Sequence, residues 1–224
     1  MSINLKALGL AIFAAFAMSA VAASAASAFT EGTAESYPTT LTEAAETGTV
    51  DVFTTTAGKV KCPNATSTGT MSASSSSVEL TPNFNGPSDT CTSLAGIVPT
   101  IVDLNGCHKR ITWFARTLHI TCSFSFEITV TANQNTAHTL TEKCTIHIPP
   151  QTVGGLTFSN VGSGTTREIK VVTSATGITY TETAGSGLGA CSTSTLQHDG
   201  TYTGTDLLTG ETDAGSTHIG IFLS

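Results

Sequence analysis

Charged side chains are scarce in this chain. Lysine and arginine together number 9, aspartate and glutamate number 16, and the four types make up 11% of the 224 residues. A surface so poor in cations is a weak match to a polyphosphate backbone, so nucleic acid is excluded as an expected partner. It also disfavours an anionic membrane surface. Apolar β-branched and aromatic residues recur along the chain and argue against disorder.

Motifs of familiar enzyme and metal sites are missing as well. There is no G-x-S-x-G elbow, so the nucleophile of an α/β-hydrolase is unsupported. There is no D-x-D-x-D-G loop, so calcium binding through Asp199, Asp206 and Asp213 has no motif behind it. Asp213, Ser216 and His218 are close in sequence, but a triad is recognised by geometry, and we expect a polar loop there. We expect no cofactor, no metal and no catalytic residue.

Paired carboxylates are the remaining catalytic alternative, because glycoside hydrolysis uses two aspartate or glutamate side chains. Most candidates lie within or beside predicted strands, and on a solvent-facing sheet they would serve solubility. The candidates are Glu127, Glu142, Glu168, Glu182, Asp199 and Asp206.

The N-terminus has the three-part layout of a secretory signal peptide. Residues 1–6 carry one lysine, an uncharged apolar run follows, and Ala26-Ser27-Ala28 is a small-residue cleavage site. Cleavage after Ala28 is predicted, with Ala25 as a second option. The apolar run is short for a membrane span, no later run reaches that length, and we expect no span after cleavage. The mature chain, 29–224, is then secreted or held in the cell envelope.

Six cysteines remain in the mature chain, an even number in an oxidising compartment, so three disulfides are predicted. Fifteen connectivities are possible, and nearest-in-sequence pairing is the one chosen here. That choice joins Cys62 with Cys91, Cys107 with Cys122, and Cys144 with Cys191.

The segment NGCHKRITWFARTLHITC, 105–122, has to be either a metal site or a β-hairpin. A turn at Phe114-Ala115 places Cys107 opposite Cys122. His108 and His119 then point to the other face, whereas zinc needs four converging ligands. A hairpin with core-facing cysteines is therefore predicted, although each cysteine could instead bond a neighbouring strand.

Period-two alternation predicts strands along the rest of the chain. It is unbroken from Leu118 to Val130, a length that predicts a bend or bulge part-way. Glycine-rich turns separate the later strands, including a predicted turn at 174–177. One helical alternative is a capping box at 40–43. About ten short strands favour an all-β, antiparallel, disulfide-stabilised β-sandwich, with Greek-key connections, as one domain over 29–224.

Three short elements carry a resemblance to known proteins: CTIHIPPQ at 144–151, GTYTG at 200–204 and NGCHKRITW at 105–113. They resemble the C-T-I-x-I-P-x-Q, N-G-T-Y-x-G and G-C-x-Y-T-F elements of a group of uncharacterised secreted bacterial β-rich proteins. The resemblance covers most of the mature chain and implies architecture and export only. The chain departs from the pattern at Asp199, where asparagine is usual, and at His108.

Two functions stay open at this point. The first is an exported non-enzymatic binding or structural module, whose partner would be an extracellular glycan or protein. The second is a small secreted hydrolase acting on carbohydrate or peptide. Neither the ligand nor the oligomeric state follows from the sequence. Candidate binding features are the loops 72–77, 84–91, 185–199 and 209–217, and the aromatic residues Trp113, Tyr180 and Tyr202.

Overall fold

Alternating burial along the chain produces strands throughout the part of the molecule that the computed structural model describes. The described residues are 29–56, 58–84, 91–93, 98–122, 126–131, 143–184, 195–212 and 217–224. The predicted signal peptide at 1–28 lies outside them. So do Glu142, Cys191, Asp213, Ser216 and most of the predicted loops 84–91, 185–199 and 209–217.

Eighteen strands and one 3-10 turn make up the regular structure of these residues. The strands are β1 Gly32–Ala34, β2 Thr39–Ala45, β3 Asp51–Thr55, β4 Gly58–Cys62, β5 Thr66–Met71, β6 Ser77–Asn83, β7 Thr92–Ser93, β8 Val98–Asp103, β9 His108–Thr112, β10 Thr117–Thr121, β11 Phe126–Thr131, β12 Lys143–Ile148, β13 Gln151–Val153, β14 Leu156–Val161, β15 Glu168–Ala184, β16 Gln197–Thr212, β17 His218–Ile219 and β18 Ile221–Leu223; the 3-10 turn is Gly164–Thr166.

Two long strands, β15 and β16, form the spine of the fold. They pair antiparallel from Ile169↔Leu208 to Tyr180↔Gln197, with register shifts on either side of Ile178. The first half of β16 also pairs with β3, and its second half pairs with β2. Because a different strand pairs with each half of β16, one large sheet extends from the spine in two directions, and each extension is called an arm here.

The first arm curls until its hydrogen-bonded strands return to the spine. From β16 it runs through β3, β4, β7, β8, β11 and β12 to the second half of β15. The second arm runs from β16 through β2, β5, β6, β9 and β10 to β13, while β14 borders the first half of β15. β1 and β18 form a separate two-stranded sheet. Every described pairing is antiparallel, and pairs distant in sequence, such as β6 with β9, are typical of Greek-key connections.

Each arm encloses its own group of buried apolar side chains. In the first arm, Phe53 and Tyr180 pack edge to face with ring centroids 6.2 Å apart. In the second arm, Trp113 and Phe158 do the same at 5.2 Å, and the Trp113 indole donates to Ser75 O at 3.1 Å. The curled sheet thus packs its faces as the two layers of a sandwich do, and the predicted fold class is confirmed.

The hairpin of 105–122 has the predicted register. Ile111 pairs with Leu118 and His108 with Thr121, which places Cys107 opposite Cys122. The Cys107–Cys122 bridge is present, with an S–S distance of 2.04 Å, and so is Cys62–Cys91 at 2.02 Å. Cys144 is disulfide-bonded too. Its predicted partner, Cys191, lies outside the described residues, so the third pairing stays a prediction.

The structure rules out one local alternative and corrects two local predictions. Residues 40–43 do not cap a helix, because Leu41 and Glu43 point inward from β2, which pairs on both edges. The predicted turn at 174–177 is a bulge inside β15, where Gly177 takes a φ of 73°. The alternation from Leu118 to Val130 is divided between β10 and β11, which pair with different neighbours; residues 123–125 between them lie outside the described residues, so the predicted bend stays a prediction.

No helix among the described residues combines the length and apolar character that a membrane span requires.

We predict that replacing both Cys107 and Cys122 by serine lowers the free energy of unfolding by about 3 kcal/mol, because the bridge closes a loop of 15 residues. Cys62 and Cys91 are 29 residues apart, and removing them should cost about 0.6 kcal/mol more in the same chain-entropy model. Urea unfolding of the two double variants measures both losses. A loss below about 1 kcal/mol for both would contradict the loop-closure account.

Candidate functional site

A cavity of about 100 Å³ lies where the two buried groups of side chains meet. Apolar side chains from both groups form most of its wall, among them Phe53 and Ile128 from the first arm and Ile111 and Leu156 from the second. Phe84, Leu118 and Ile120 also line it and are only half-buried, so this part of the wall extends toward solvent.

Three carboxyl groups and one lysine line the same cavity, as do the ionisable side chains of Tyr202 and His108. The alternation of side chains along each strand places them there. Glu43 is on the inward face of β2 with Leu41, and Asp51 is on the inward face of β3 with Phe53. Asp206 is on the inward face of β16 with Leu208. Lys109 lies between the buried Cys107 and Ile111 on β9. Because side chains alternate across a strand, each of these residues is carried inward by its apolar neighbours. Glu43, Asp51 and Asp206 are 3%, 4% and 4% exposed.

Lys109 and Glu43 form an ion pair across the interior. Burial alone would lower the pKa of Lys109, but Glu43, Asp206 and Asp51 surround the ammonium group with negative charge and raise its pKa above the ordinary value. Lys109 therefore stays protonated. One lysine then faces three carboxyl groups. The two carboxyl groups that the lysine does not balance must either be protonated or be compensated by another cation.

The other two carboxyl groups take up protons more readily than usual. Burial raises the pKa of Asp206 to about 8, and Glu43 and Asp51 add to the rise while Lys109 opposes it. Burial also raises the pKa of Asp51, to about 6, because the opposing effects of Lys109 and of a hydrogen bond from Tyr202 are smaller. Burial and the neighbouring carboxylates raise the pKa of Tyr202 well above its ordinary value, so this phenol remains a donor.

Asp51 is incompletely satisfied. Its carboxyl group accepts the Tyr202 hydrogen bond, but within the described residues its Oδ1 atom has no hydrogen-bond partner. Oδ1 packs against Gly204. Any larger residue at position 204 would place its Cβ in collision with Asp51 Oδ1 and 3.6 Å from Asp206 Oδ2. Gly204 therefore gives room to both carboxyl groups. A buried oxygen without a partner is costly, which makes Asp51 the most unusual polar group of the cavity.

Elements of the sequence resemblance meet at this site. Tyr202 and Gly204 come from GTYTG, and Lys109 comes from NGCHKRITW. Gly200 of GTYTG has a packing role, because a Cβ there would come within 3.1 Å of the Tyr180 ring. Gln151, the last residue of CTIHIPPQ, accepts from Thr179 N at 2.8 Å and donates to Thr179 O at 2.9 Å. The GTYTG element therefore supplies both packing and cavity residues, and Gln151 ties β13 to β15.

A second polar group lies in the first arm, with Tyr180 and Glu182 buried and Thr56 and Asp199 exposed. The Tyr180 hydroxyl donates to Asp199 Oδ1 at 2.9 Å and accepts from Thr56 N at 2.9 Å. Thr56 Oγ1 donates to Glu182 Oε1 at 3.2 Å. Glu182 is 1% exposed, so its predicted role as a solubilising surface residue is wrong. These contacts tie Thr56 to β15 and β16, and none of the four residues lines the cavity.

The remaining predicted site residues are dispersed. Trp113 and Tyr180 are buried in the two cores, so neither offers a stacking surface, and Tyr202 faces the cavity. Glu127 pairs with His147 at 3.1 Å on the outer face. Of the predicted carboxylates that the structure describes, only Asp206 lines the cavity, and Asp199 belongs to the Tyr180 group. In the part of the chain that is described, no three His, Cys, Asp or Glu side chains are arranged to hold a metal ion.

Sequence reasoning missed Glu43, Asp51 and Lys109. Lys109 was visible only as an interruption of the apolar parity of β9, and Glu43 was read as part of a capping box. Asp51 stands in phase with Phe53 and Thr55 at the start of β3. All three could have been found by looking for a charged residue at a strand position whose alternating neighbours are apolar and therefore face the core.

Comparison with known proteins yields no match to this chain among protein-family models, curated proteins or solved structures.

We predict that Lys109→Met lowers the free energy of unfolding by about 3–5 kcal/mol, because it leaves Glu43 buried without its cation. Combining it with Glu43→Leu should restore much of that loss, since a buried ion pair can be exchanged for apolar groups. The next residue supplies the control. Arg110 pairs with Glu79 at 3.2 Å with both side chains about half exposed, so Arg110→Met should cost below about 1 kcal/mol. Equal losses from the two single variants would contradict the buried pair.

We predict that the free energy of unfolding falls as pH rises from about 4 to about 8. In this window folded Asp206 keeps a proton that the unfolded chain has lost, since its pKa rises from 3.8 to about 8 on folding. Each retained proton gives a slope of up to about 1.4 kcal/mol per pH unit, and Asp51 adds to it between about pH 4 and 6. The stabilisation is complete below pH 4 and lost above pH 8.

Asp206→Asn is the matched variant for this pH dependence, because its amide has the shape of the protonated acid. Urea unfolding across pH 4–8 should give similar stability for variant and wild type at pH 4 and a smaller decline for the variant above pH 6. A wild-type stability that rises from pH 6 to pH 8 would contradict the raised pKa.

Proposed function

We propose that this protein is an exported, non-enzymatic binding module that takes the small apolar part of a ligand into the cavity between its two arms. One observation supports this: the cavity wall is mainly apolar, yet one of its lining residues is Asp51, whose buried Oδ1 has no hydrogen-bond partner among the described residues. Binding pockets typically combine an apolar wall with a few polar groups that orient the ligand.

The volume sets the size of what enters. A cavity of about 100 Å³ is well below the roughly 300–1,000 Å³ of pockets that enclose drug-sized molecules. It is nearer the engineered cavity of about 150 Å³ that binds benzene. A short alkyl group is therefore the expected guest, either alone or as the end of a longer molecule.

Export is part of the same proposal. The leader-like N-terminus, the low charge and the even number of cysteines support it. The two disulfides described above are compatible with an oxidising compartment. Secretion into the medium and retention in the envelope are distinguished by fractionating the producing cells. Intact mass of the exported chain reports the cleavage site.

A small secreted hydrolase is the second candidate, and the carboxyl groups of Asp51 and Asp206 beside Gly204 favour it. Unequal pKa values are what a general acid and base require. However, both side chains are 4% exposed, and the cavity is too small for a sugar ring with its neighbours. Turnover of chromogenic glycosides or peptides that Asp206→Asn abolishes would establish this candidate in place of the first.

We predict that n-butanol binds in the cavity and that Val102→Phe abolishes the binding, because the larger ring fills the space. Val78→Phe is the control, since Val78 is equally buried but does not line the cavity. It should lower the free energy of unfolding by about 1–3 kcal/mol through overpacking and leave the n-butanol affinity unchanged. Amide chemical shifts followed by NMR titration measure the binding. Failure of n-butanol to shift amides of β8, β11 or β15 would overturn the proposed function.

A further inference from the structure

The polar end of the cavity is acidic and lacks a cation. Three carboxyl groups reach it, from β2, β3 and β16, but among the described residues Lys109 is the sole lysine or arginine that lines it, and Lys109 is engaged by Glu43. Tyr202 gives Asp51 one hydrogen bond. The acceptor that is left without a hydrogen-bond donor among the described residues is Asp51 Oδ1. Asp51 is 4% exposed and is one of the residues that line the cavity.

The chemistry of that atom specifies what it would bind. A carboxylate oxygen accepts hydrogen bonds, so its partner has to be a donor, and a buried carboxylate is stabilised most by a donor that carries positive charge. The neighbouring Asp206 presents a second carboxyl group beside Gly204. Two acidic groups on one side and an apolar wall on the other match a small molecule with one cationic end and one apolar end.

An inorganic cation fits this surrounding less well than an organic one. Metal ions need several ligands converging at short distances, and no such group exists among the described His, Cys, Asp and Glu side chains. The apolar wall would leave the metal's remaining coordination positions facing Phe53 and Ile128. An ammonium group needs fewer acceptors, and its alkyl part gains from the same wall.

We infer that the cavity binds a small primary alkylamine, whose ammonium group donates to Asp51 Oδ1 beside Asp206 while its alkyl group packs against the apolar wall. This inference rests on the proposed function and adds the chemical class of the ligand to it. No covalent step is involved. The amine replaces protons as the positive charge that balances the acidic groups.

Binding of the amine is therefore coupled to release of protons. The groups facing the amine are Glu43 from β2, Lys109 and His108 from β9, and Tyr202 and Asp206 from β16. Burial raises the pKa values of Asp51 and Asp206 to about 6 and 8, so at pH 5 both carry protons that an ammonium group would displace. An alkylamine stays protonated throughout this range. Its affinity should thus rise with pH.

The test is an NMR titration of the exported chain with n-butylamine and with n-butanol, which have nearly the same shape but differ in charge. At pH 7 we expect n-butylamine to bind about tenfold more tightly than n-butanol, as a charged hydrogen bond in a buried site implies. Between pH 5 and pH 7 the n-butylamine affinity should rise about tenfold or more, whereas that of n-butanol should stay constant.

Asp51→Asn is the decisive variant. It should weaken n-butylamine about tenfold or more and n-butanol by a clearly smaller factor, because a hydroxyl donates only a neutral hydrogen bond. Glu182→Gln is the matched control, because Glu182 is also a buried carboxyl group but does not line the cavity, and it should leave both affinities unchanged. If Asp51→Asn fails to fold, the pH series on the wild-type chain tests the same charge requirement.

The outcomes separate this inference from the function on which it rests. Binding of n-butanol with no preference for n-butylamine would overturn the amine inference and leave the apolar cavity function standing. Binding of neither compound would overturn both. Stoichiometric binding of Ca²⁺ that excludes n-butylamine would overturn the inference in favour of an inorganic cation.

Discussion

The ion pair between Lys109 and Glu43 is the constraint on which the interior of this fold depends. It is buried between strands of the second arm, and Asp51 and Asp206 lie close enough to shift its titration. Removing a charged pair from water is costly, and the cost is offset only when each charge keeps a partner. The interior therefore cannot collapse into a uniform apolar core. A small cavity remains where the two groups of apolar side chains meet the three carboxyl groups and Lys109.

The disulfides support this arrangement at two points. Cys62 is the cross-strand partner of Asp51, and its bridge ties β4 to Cys91 beside β7. Cys107 stands two residues before Lys109, and its bridge closes the hairpin that carries the lysine. Cross-links so near to the charged residues restrict how far β3 and β9 can move apart. A rigid site loses less conformational freedom on binding, which favours affinity for a small ligand.

Sequence alone predicted the fold class and much of the local structure, for physical reasons that are specific to strands. Alternation over Cys107, Ile111 and Trp113 fixed the inward face of β9, and a two-residue turn then determined the hairpin register. The pattern could not show where a strand changes neighbours. Leu118 and Ile128 continue one alternation, yet they lie on strands in different arms, and that division depends on long-range pairing.

The site was less predictable because its residues come from four strands that are distant in sequence. Asp206 was one of six candidate carboxylates, but nothing in the sequence paired it with Asp51. In the sequence, Lys109 appeared to interrupt the alternation of apolar residues along β9, but its side chain does point inward, as the alternation requires. Each charged residue looked like a local exception to alternation, and only the pairing of β16 with both β2 and β3 brings three such exceptions together. Convergence of this kind is a property of topology, which a one-dimensional pattern does not contain.

The balance of charge leads to the last step. In a buried cluster with one lysine, protons can neutralise the surplus carboxyl groups, and the raised pKa values of Asp51 and Asp206 show this tendency. A proton neutralises Asp51 but cannot fill the space beside it. Oδ1 stays without a hydrogen-bond partner in the described structure, and the apolar wall stays in contact with the cavity. A ligand with an ammonium group and an alkyl chain satisfies the charge, the hydrogen bond and the wall together, and this threefold match sets it apart from a proton or a metal ion.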